Sequence, residues 1–212
     1  MKKGIVLIGL MILVNNWLHA QQRVVAECTI TYAIKPDETI VDKDLLASLR
    51  ASIQTVYIKG NNSRLDLQSP SFSQSTFFDK SNGTAVVLKE FGNNKFMTQI
   101  DSGSWRKKNI KLEGAHLLVS NEIKTILGYD CKRSTLQLKD GTVYSLYFAT
   151  EIVPSVKEFA YQFKDIPGLV LDYEVQAADG KKIRYTATKI NLNPVPAAKF
   201  ELPTSGYRLL NE

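Results

Sequence analysis

The stretch "AECTITYAIK" (26–35) sets Cys28, Ile30, Tyr32 and Ile34 on one side of an extended backbone and Thr29, Thr31, Ala33 and Lys35 on the other. Successive side chains of a strand point to opposite faces, so this period of two predicts a strand with one buried face. The pattern returns along most of the chain, cut by turn residues. "TVYIKG" turns at Gly60-Asn61-Asn62 into "SRLDLQ", where Leu65 and Leu67 alternate with polar residues. "STFFDKS" turns at Asn82-Gly83 into "TAVVLKEF", and "GNNKFMTQID" sets Phe96, Thr98 and Ile100 on one face. Asp140-Gly141 and Asp179-Gly180 join further strands. Asn-Gly and Asp-Gly supply the positive φ angles that two-residue hairpin turns require. A chain punctuated this way folds as an antiparallel sheet.

Two segments change period. In "VDKDLLASLRASIQ", Leu45, Leu46, Leu49 and Ile53 recur at helical spacing behind Asp42 as N-cap, with Asp44 in the first turn. "PSVKEFAYQF" carries Val156, Phe159, Ala160 and Phe163 at similar spacing and predicts a short helix or a tight crossing segment. Ile166-Pro167-Gly168 then turns the chain into a strand from Leu169, with Pro167 fixing φ and Gly168 taking a φ that other residues avoid. Residues 102–121 follow neither period and read as a short helix or an irregular loop. The fold class is therefore α+β with β dominant: a strongly curved antiparallel sheet of about nine strands wrapped around one or two helices.

The N-terminus, "MKKGIVLIGLMILVNNWLHAQQ", has a basic start, an apolar run from Gly4 to Val14 and the small residue Ala20. That layout predicts a cleavable signal peptide over 1–20 and a single domain over 21–212. The apolar run is about half the length of a membrane helix, and no later segment is long and apolar enough to span a bilayer. Cys28 follows Val-Ala-Glu, which is no lipoprotein box. The expectation is an exported, periplasmic protein, with outer-membrane association or secretion as variants. Loss of Lys2 and Lys3 takes the net charge from +6 to +4. A surplus that small, spread along the chain, does not predict nucleic-acid binding.

Catalytic chemistry finds little to use. Of two histidines, His19 leaves with the signal, and His116 stands in "EGAHLLVS" without a nucleophile motif. Clustered metal ligands, calcium loops and phosphate-cradling glycine loops are absent from the sequence, so no metal or cofactor is expected. The carboxylate pairs Asp42/Asp44 and Asp172/Glu174 read as a helix start and the polar face of a strand. The protein is expected not to be an enzyme.

Binding features are more numerous. Nine large residues, Ile30, Tyr32, Ile58, Leu65, Leu67, Phe96, Tyr147, Leu171 and Tyr173, are assigned to one face of the curved sheet. They either fill the interior or line a cavity for an acyl chain, and periodicity does not separate the two. In "WRKKNIK", the cations Arg106, Lys107, Lys108 and Lys111 surround Trp105 and Ile110, a surface for anionic headgroups or an acidic partner if it is not simply a solvated loop. The two cysteines, Cys28 and Cys131, are either bridged or small buried hydrophobes. A bridge closing a loop of roughly 100 residues would stabilise by about 4–5 kcal/mol in the chain-entropy description.

"ILGYDCKRST" (126–135), "YSLYFATEI" (144–152) and "IPGLVLDYEV" (166–175) resemble the GLPGLI family and its uncharacterised neighbours in Bacteroidota, as do "VYIKGNNSRLDL", "FFDKSNGTAVVL" and "KFELPTSGY". The namesake motif departs here to Asp165-Ile166-Pro167-Gly168-Leu169-Val170, which points to a sister family. The group is similar to the lipoprotein-carrier (LolA/LppX-like) superfamily. That resemblance implies an incomplete β-barrel around helices, with a cavity for acyl chains in the carriers proper. It implies no catalytic residues. The two functions that follow are an envelope protein binding a lipid or other apolar ligand, and an envelope interaction module with a filled core and a protein partner.

Overall fold

The computed structural model describes residues 22–38, 42–176 and 181–210. The signal segment and the Asp179-Gly180 turn lie outside the described residues. The chain runs through β1 (Arg23–Val25), β2 (Glu27–Pro36), α1 (Lys43–Arg50), β3 (Ile53–Lys59), β4 (Asn62–Gln68), β5 (Ser73–Asp79), β6 (Thr84–Phe91) and β7 (Asn94–Ile100). It continues through α2 (Ser102–Asn109), β8 (His116–Ile126), β9 (Tyr129–Gln137), β10 (Val143–Ala149), β11 (Ile152–Pro154), β12 (Leu169–Gln176), β13 (Lys182–Asn191) and β14 (Arg208–Leu210). Twelve strands form one sheet in the order β14-β7-β6-β5-β4-β3-β2-β13-β12-β10-β9-β8, while β1 and β11 make a separate parallel pair.

The order itself dictates curvature. Ten inter-strand steps of about 4.8 Å would hold β7 and β8 about 48 Å apart in a flat sheet. Residues 101–115, which join them, include the eight-residue helix α2 and reach at most about 36 Å. The sheet must curl until its edges approach, and it stops short of closing because β8 and β14 are not paired to each other.

The inner face carries the core. Cys28, Ile30, Tyr32 and Ile34 are all buried, as the alternation predicts. Their neighbours across the ladder, Ile58 and Val56 on β3 and Tyr185 and Ala187 on β13, share that face. In the second half of the sheet the interior is filled by the crossing segment, a 3-10 stretch at Glu158–Phe163 that buries Phe163 and breaks at Ala160 (φ −127, ψ 76). Trp105 of α2 reaches the same core against Phe78, ring centroids 5.5 Å apart.

Several expectations change in detail. α1 forms behind Asp42, whose Oδ1 accepts from the amides of Asp44 and Leu45, but it ends at Arg50 and buries no residue. Ile53 belongs to β3. Gly168 is not in the left-handed region. It is glycine because a Cβ there would stand 2.1 Å from the Ala149 carbonyl oxygen and 2.6 Å from the Phe148 ring. The stretch "EIKTILGYDCKRSTLQL" is a hairpin, turning at Leu127-Gly128 with φ of 52 and 85. Part of the unreadable region 102–121 is thus the start of an eleven-residue strand.

The cysteines are not bridged; both are free and buried. β10, β12 and β13 stand between their strands, and the register puts Cys28 and Cys131 on opposite faces of the sheet. A disulfide needs Cα atoms about 4.4–6.8 Å apart with converging Cβ vectors. Burial raises the thiols to about 12 and about 11 respectively.

Candidate functional site

The aromatic cluster at the centre of the inner face leaves little room. Of the nine residues assigned to it, Ile30, Tyr32, Ile58, Leu171 and Tyr173 are buried, and Leu65, Leu67 and Phe96 are half-buried on the same face. Tyr147 is not on that face. It pairs with Asp172 and Arg133 on the outer side, and its hydroxyl donates to Glu122 at 2.6 Å. The sequence "VYSLYFA" carries aromatics on both faces, so composition could not place Tyr147. Around Tyr173 the rings of Phe163, Tyr185 and Tyr32 lie 4.9, 4.6 and 6.3 Å away. The Tyr32 hydroxyl donates to the Val170 carbonyl at 2.8 Å. The cavity between Tyr32, Phe163, Tyr173, Gln54 and Lys157 has a volume of about 20 Å3, room for one water.

The outer face divides in two. Over β4–β7, Phe77, Leu88 and Met97 form a second small core, covered by Tyr207 of the C-terminal tail. Arg64 lies over the rings of Phe77 and Tyr57, pairs with Asp66 at 2.7 Å and donates to the Lys199 carbonyl at 2.8 Å. The tail then adds β14 parallel to β7. β14 thus becomes the outermost strand at this end, with Leu209 and Leu210 64 and 40% exposed.

Over β8–β13 the outer face is a ladder of charges. Asp172 is buried, with Arg184 Nε 3.1 Å and Lys124 Nζ 3.6 Å from its oxygens. The Arg184 contact is misaligned, so it is an ion pair without a hydrogen bond. Lys124 also lies 5.3 Å over the Tyr147 ring, and Arg133 donates to Glu122 at 2.7 Å. The Tyr147 hydroxyl first, then Arg133, hold the Glu122 carboxyl below its ordinary range. Glu174 pairs with Lys182 at 3.2 Å, so the Asp172/Glu174 pair is tied up in ion pairs.

At the end of this ladder lies β8. Its one substantial neighbour among the described residues is β9, and its other edge carries no strand. Leu118, Val119 and Ile123 are 55, 50 and 59% exposed, and Leu127 beyond the strand is 44% exposed. Two extra residues bulge between Val119 and Ile123. Leu127 holds a positive φ that a branched side chain rarely accepts. His116 is exposed at the start of the strand. The basic segment sits elsewhere. Arg106, Lys107 and Lys108 occupy the last turn of α2, where cations suit the helix dipole, and Lys111 follows in a 3-10 turn. Arg106 lies 3.8 Å from Glu113. No group of three or more metal-ligating side chains occurs among the described residues, and no described helix is long and apolar enough to cross a membrane.

The fold and these faces define an α+β protein with β dominant, a curved antiparallel sheet that stops short of a barrel. No family model matches the chain, and no curated protein matches it, so the GLPGLI likeness rests on its motifs alone. Among solved structures the chain is similar to an uncharacterised conserved protein from Thermus thermophilus, at 8% identity and a TM-score of 0.53, with 89% of this chain and 91% of that one covered. It is similar to PNGF-II at 13% identity and a TM-score of 0.52, where 88% of this chain matches 31% of the other. The LolA superfamily protein NE2245 from Nitrosomonas europaea is a weaker likeness, at 11% identity and a TM-score of 0.36, with 85 and 92% covered. At such identities the likeness is one of fold.

Proposed function

We propose that this chain is an exported envelope protein, a sister of the GLPGLI-like group, that acts as an interaction module by taking an extended partner segment along β8. The observation that carries this is the contrast between a tightly packed aromatic cluster inside the sheet and a strand edge that pairs with no other strand among the described residues. An unpaired row of N–H and C=O groups beside exposed apolar side chains is the surface used in β-strand addition. No catalytic step is assigned to it. A second reading, an apolar ligand inside the sheet, draws on the aromatic cavity at Tyr32, Phe163 and Tyr173. With room for one water, that ligand must displace the crossing segment 155–168.

The test places a photo-crosslinking amino acid at Leu118 or, as control, at Leu209 on β14, in cells exporting the protein. A discrete adduct with one envelope protein from Leu118 and none from Leu209 is expected. Equal labelling from both positions, or none, overturns the reading. A native mass raised by an extractable lipid favours the interior ligand instead.

A further inference from the structure

The β8 edge is self-complementary. Consider a second copy laid antiparallel to it about a two-fold axis at Ile123. Glu122 then faces Lys124 of the partner subunit, Lys124 faces Glu122 of the partner subunit, and Ile123 faces Ile123 of the partner subunit. Directly opposed residues of an antiparallel pair share a face with Cβ atoms about 4.5–5.5 Å apart, so opposite charges and apolar groups reinforce the pairing.

The register is also defended. A slip by two residues one way opposes Glu122 to Glu122 of the partner subunit, and the other way opposes Lys124 to Lys124 of the partner subunit. A slip by one residue turns each apolar side chain to the wrong face. The bulge does not spoil this. Four residue steps on β8 from Val119 to Ile123 match two on β9, so both side chains keep one face. Bulges and charges on an edge ordinarily repel any incoming strand. Here the two charges have opposite sign and flank the axis, which excludes other strands while admitting this one.

We infer that the partner at β8 is a second copy of this chain, joined antiparallel about Ile123 so that the two sheets become continuous. The inference rests on the reading of β8 as the interaction edge and names its occupant. The outer-face ladder then runs from one subunit into the next, Lys124 meeting both Asp172 of its own chain and Glu122 of the partner subunit.

Sedimentation equilibrium of the exported protein at about 100 μM suits a strand-pair interface at the low end of interface size. A reversible dimer is expected, weakened about tenfold or more by Glu122→Lys, which opposes two lysines twice. Under mild oxidation Ile123→Cys is expected to link two copies rapidly, while Leu118→Cys, whose two copies lie well to either side of the axis, links slowly. Equal linking at both positions, or a dimer indifferent to Glu122→Lys, overturns the inference by placing the contact on another face. A protein monomeric throughout overturns it as well. If Leu118 still crosslinks one envelope protein in cells, the β8 reading survives that result; if it does not, both fall.

Discussion

The two edges of this sheet face the same physical problem and meet it differently. At β7 the exposed ladder is occupied by the chain itself: β14 pairs with Phe96–Thr98, and Tyr207 sits on Phe77, Leu88 and Met97. The tail that reaches there is pinned on the way, with the Val195 amide donating to Glu27 at 2.7 Å and Lys59 donating to the Val195 carbonyl at 2.9 Å. At β8 the edge carries a bulge, two opposite charges and several exposed aliphatic side chains. The apolar groups that the tail covers, Phe77, Leu88 and Met97, add stability; apolar groups left exposed on a strand edge destabilise nothing in the single chain and are available to a partner. Where a chain spends its own tail therefore marks which edge is structural.

The largest way to break that contrast is to damage the interior behind β8. Gly168→Ala forces a Cβ into the Ala149 carbonyl and is expected to cost roughly 3 kcal/mol or more. Thermal unfolding checks the cost, and hydrogen exchange should show β8–β10 losing protection before β3–β6. A change below about 1 kcal/mol would mean that the crossing segment yields easily, which favours the interior-ligand reading. Tyr207→Ala uncaps the second core and is expected to cost about 2 kcal/mol in denaturant unfolding, with new association through the exposed β7 edge. Ile123→Lys, on the open edge, should leave single-chain stability within about 0.5 kcal/mol while abolishing association in sedimentation.

Acid sharpens the comparison further. Glu122 has a depressed folded-state pKa, so its contribution is present above the ordinary value of 4.5 and is lost as pH falls through the folded value. Tyr147→Phe removes the first cause of that depression, so unfolding followed between pH 7 and pH 3 should depend less steeply on pH in the variant. The smallest expected effect is none: the melting temperature should be the same with and without reductant, and a thiol reagent should titrate Cys28 and Cys131 only after unfolding.

Much of this was legible early. The strand β2, the hairpins at Gly60 and Asn82-Gly83, and the N-cap at Asp42 each leave a local mark in the sequence. β8 left none, for two reasons that share a cause. An edge strand exposed on both faces has no alternation to read, since nearly every residue from His116 to Thr125 is exposed. Its turn uses Leu127 in a left-handed conformation instead of Asn or Asp, so the hairpin signal was missing too. The motif Pro167-Gly168 was visible, yet its reason was not: close approach to Ala149 is a contact between segments, invisible to φ preferences. Three-residue strands such as β1, β11 and β14 are below the length at which any period shows.

What the sequence by itself determined is the set of local choices: period two, one buried face and tight turns between consecutive strands. Each depends only on residues within a turn or a strand of one another. Only the tertiary structure decided that β13 lies beside β2, that Cys28 and Cys131 face apart, that the tail closes β7, and that the run 119–127 is an edge at all. Those facts follow from how a twelve-stranded sheet curls to let residues 101–115 join its two ends. Curvature of that kind is a property of the summed packing, and no local period encodes it.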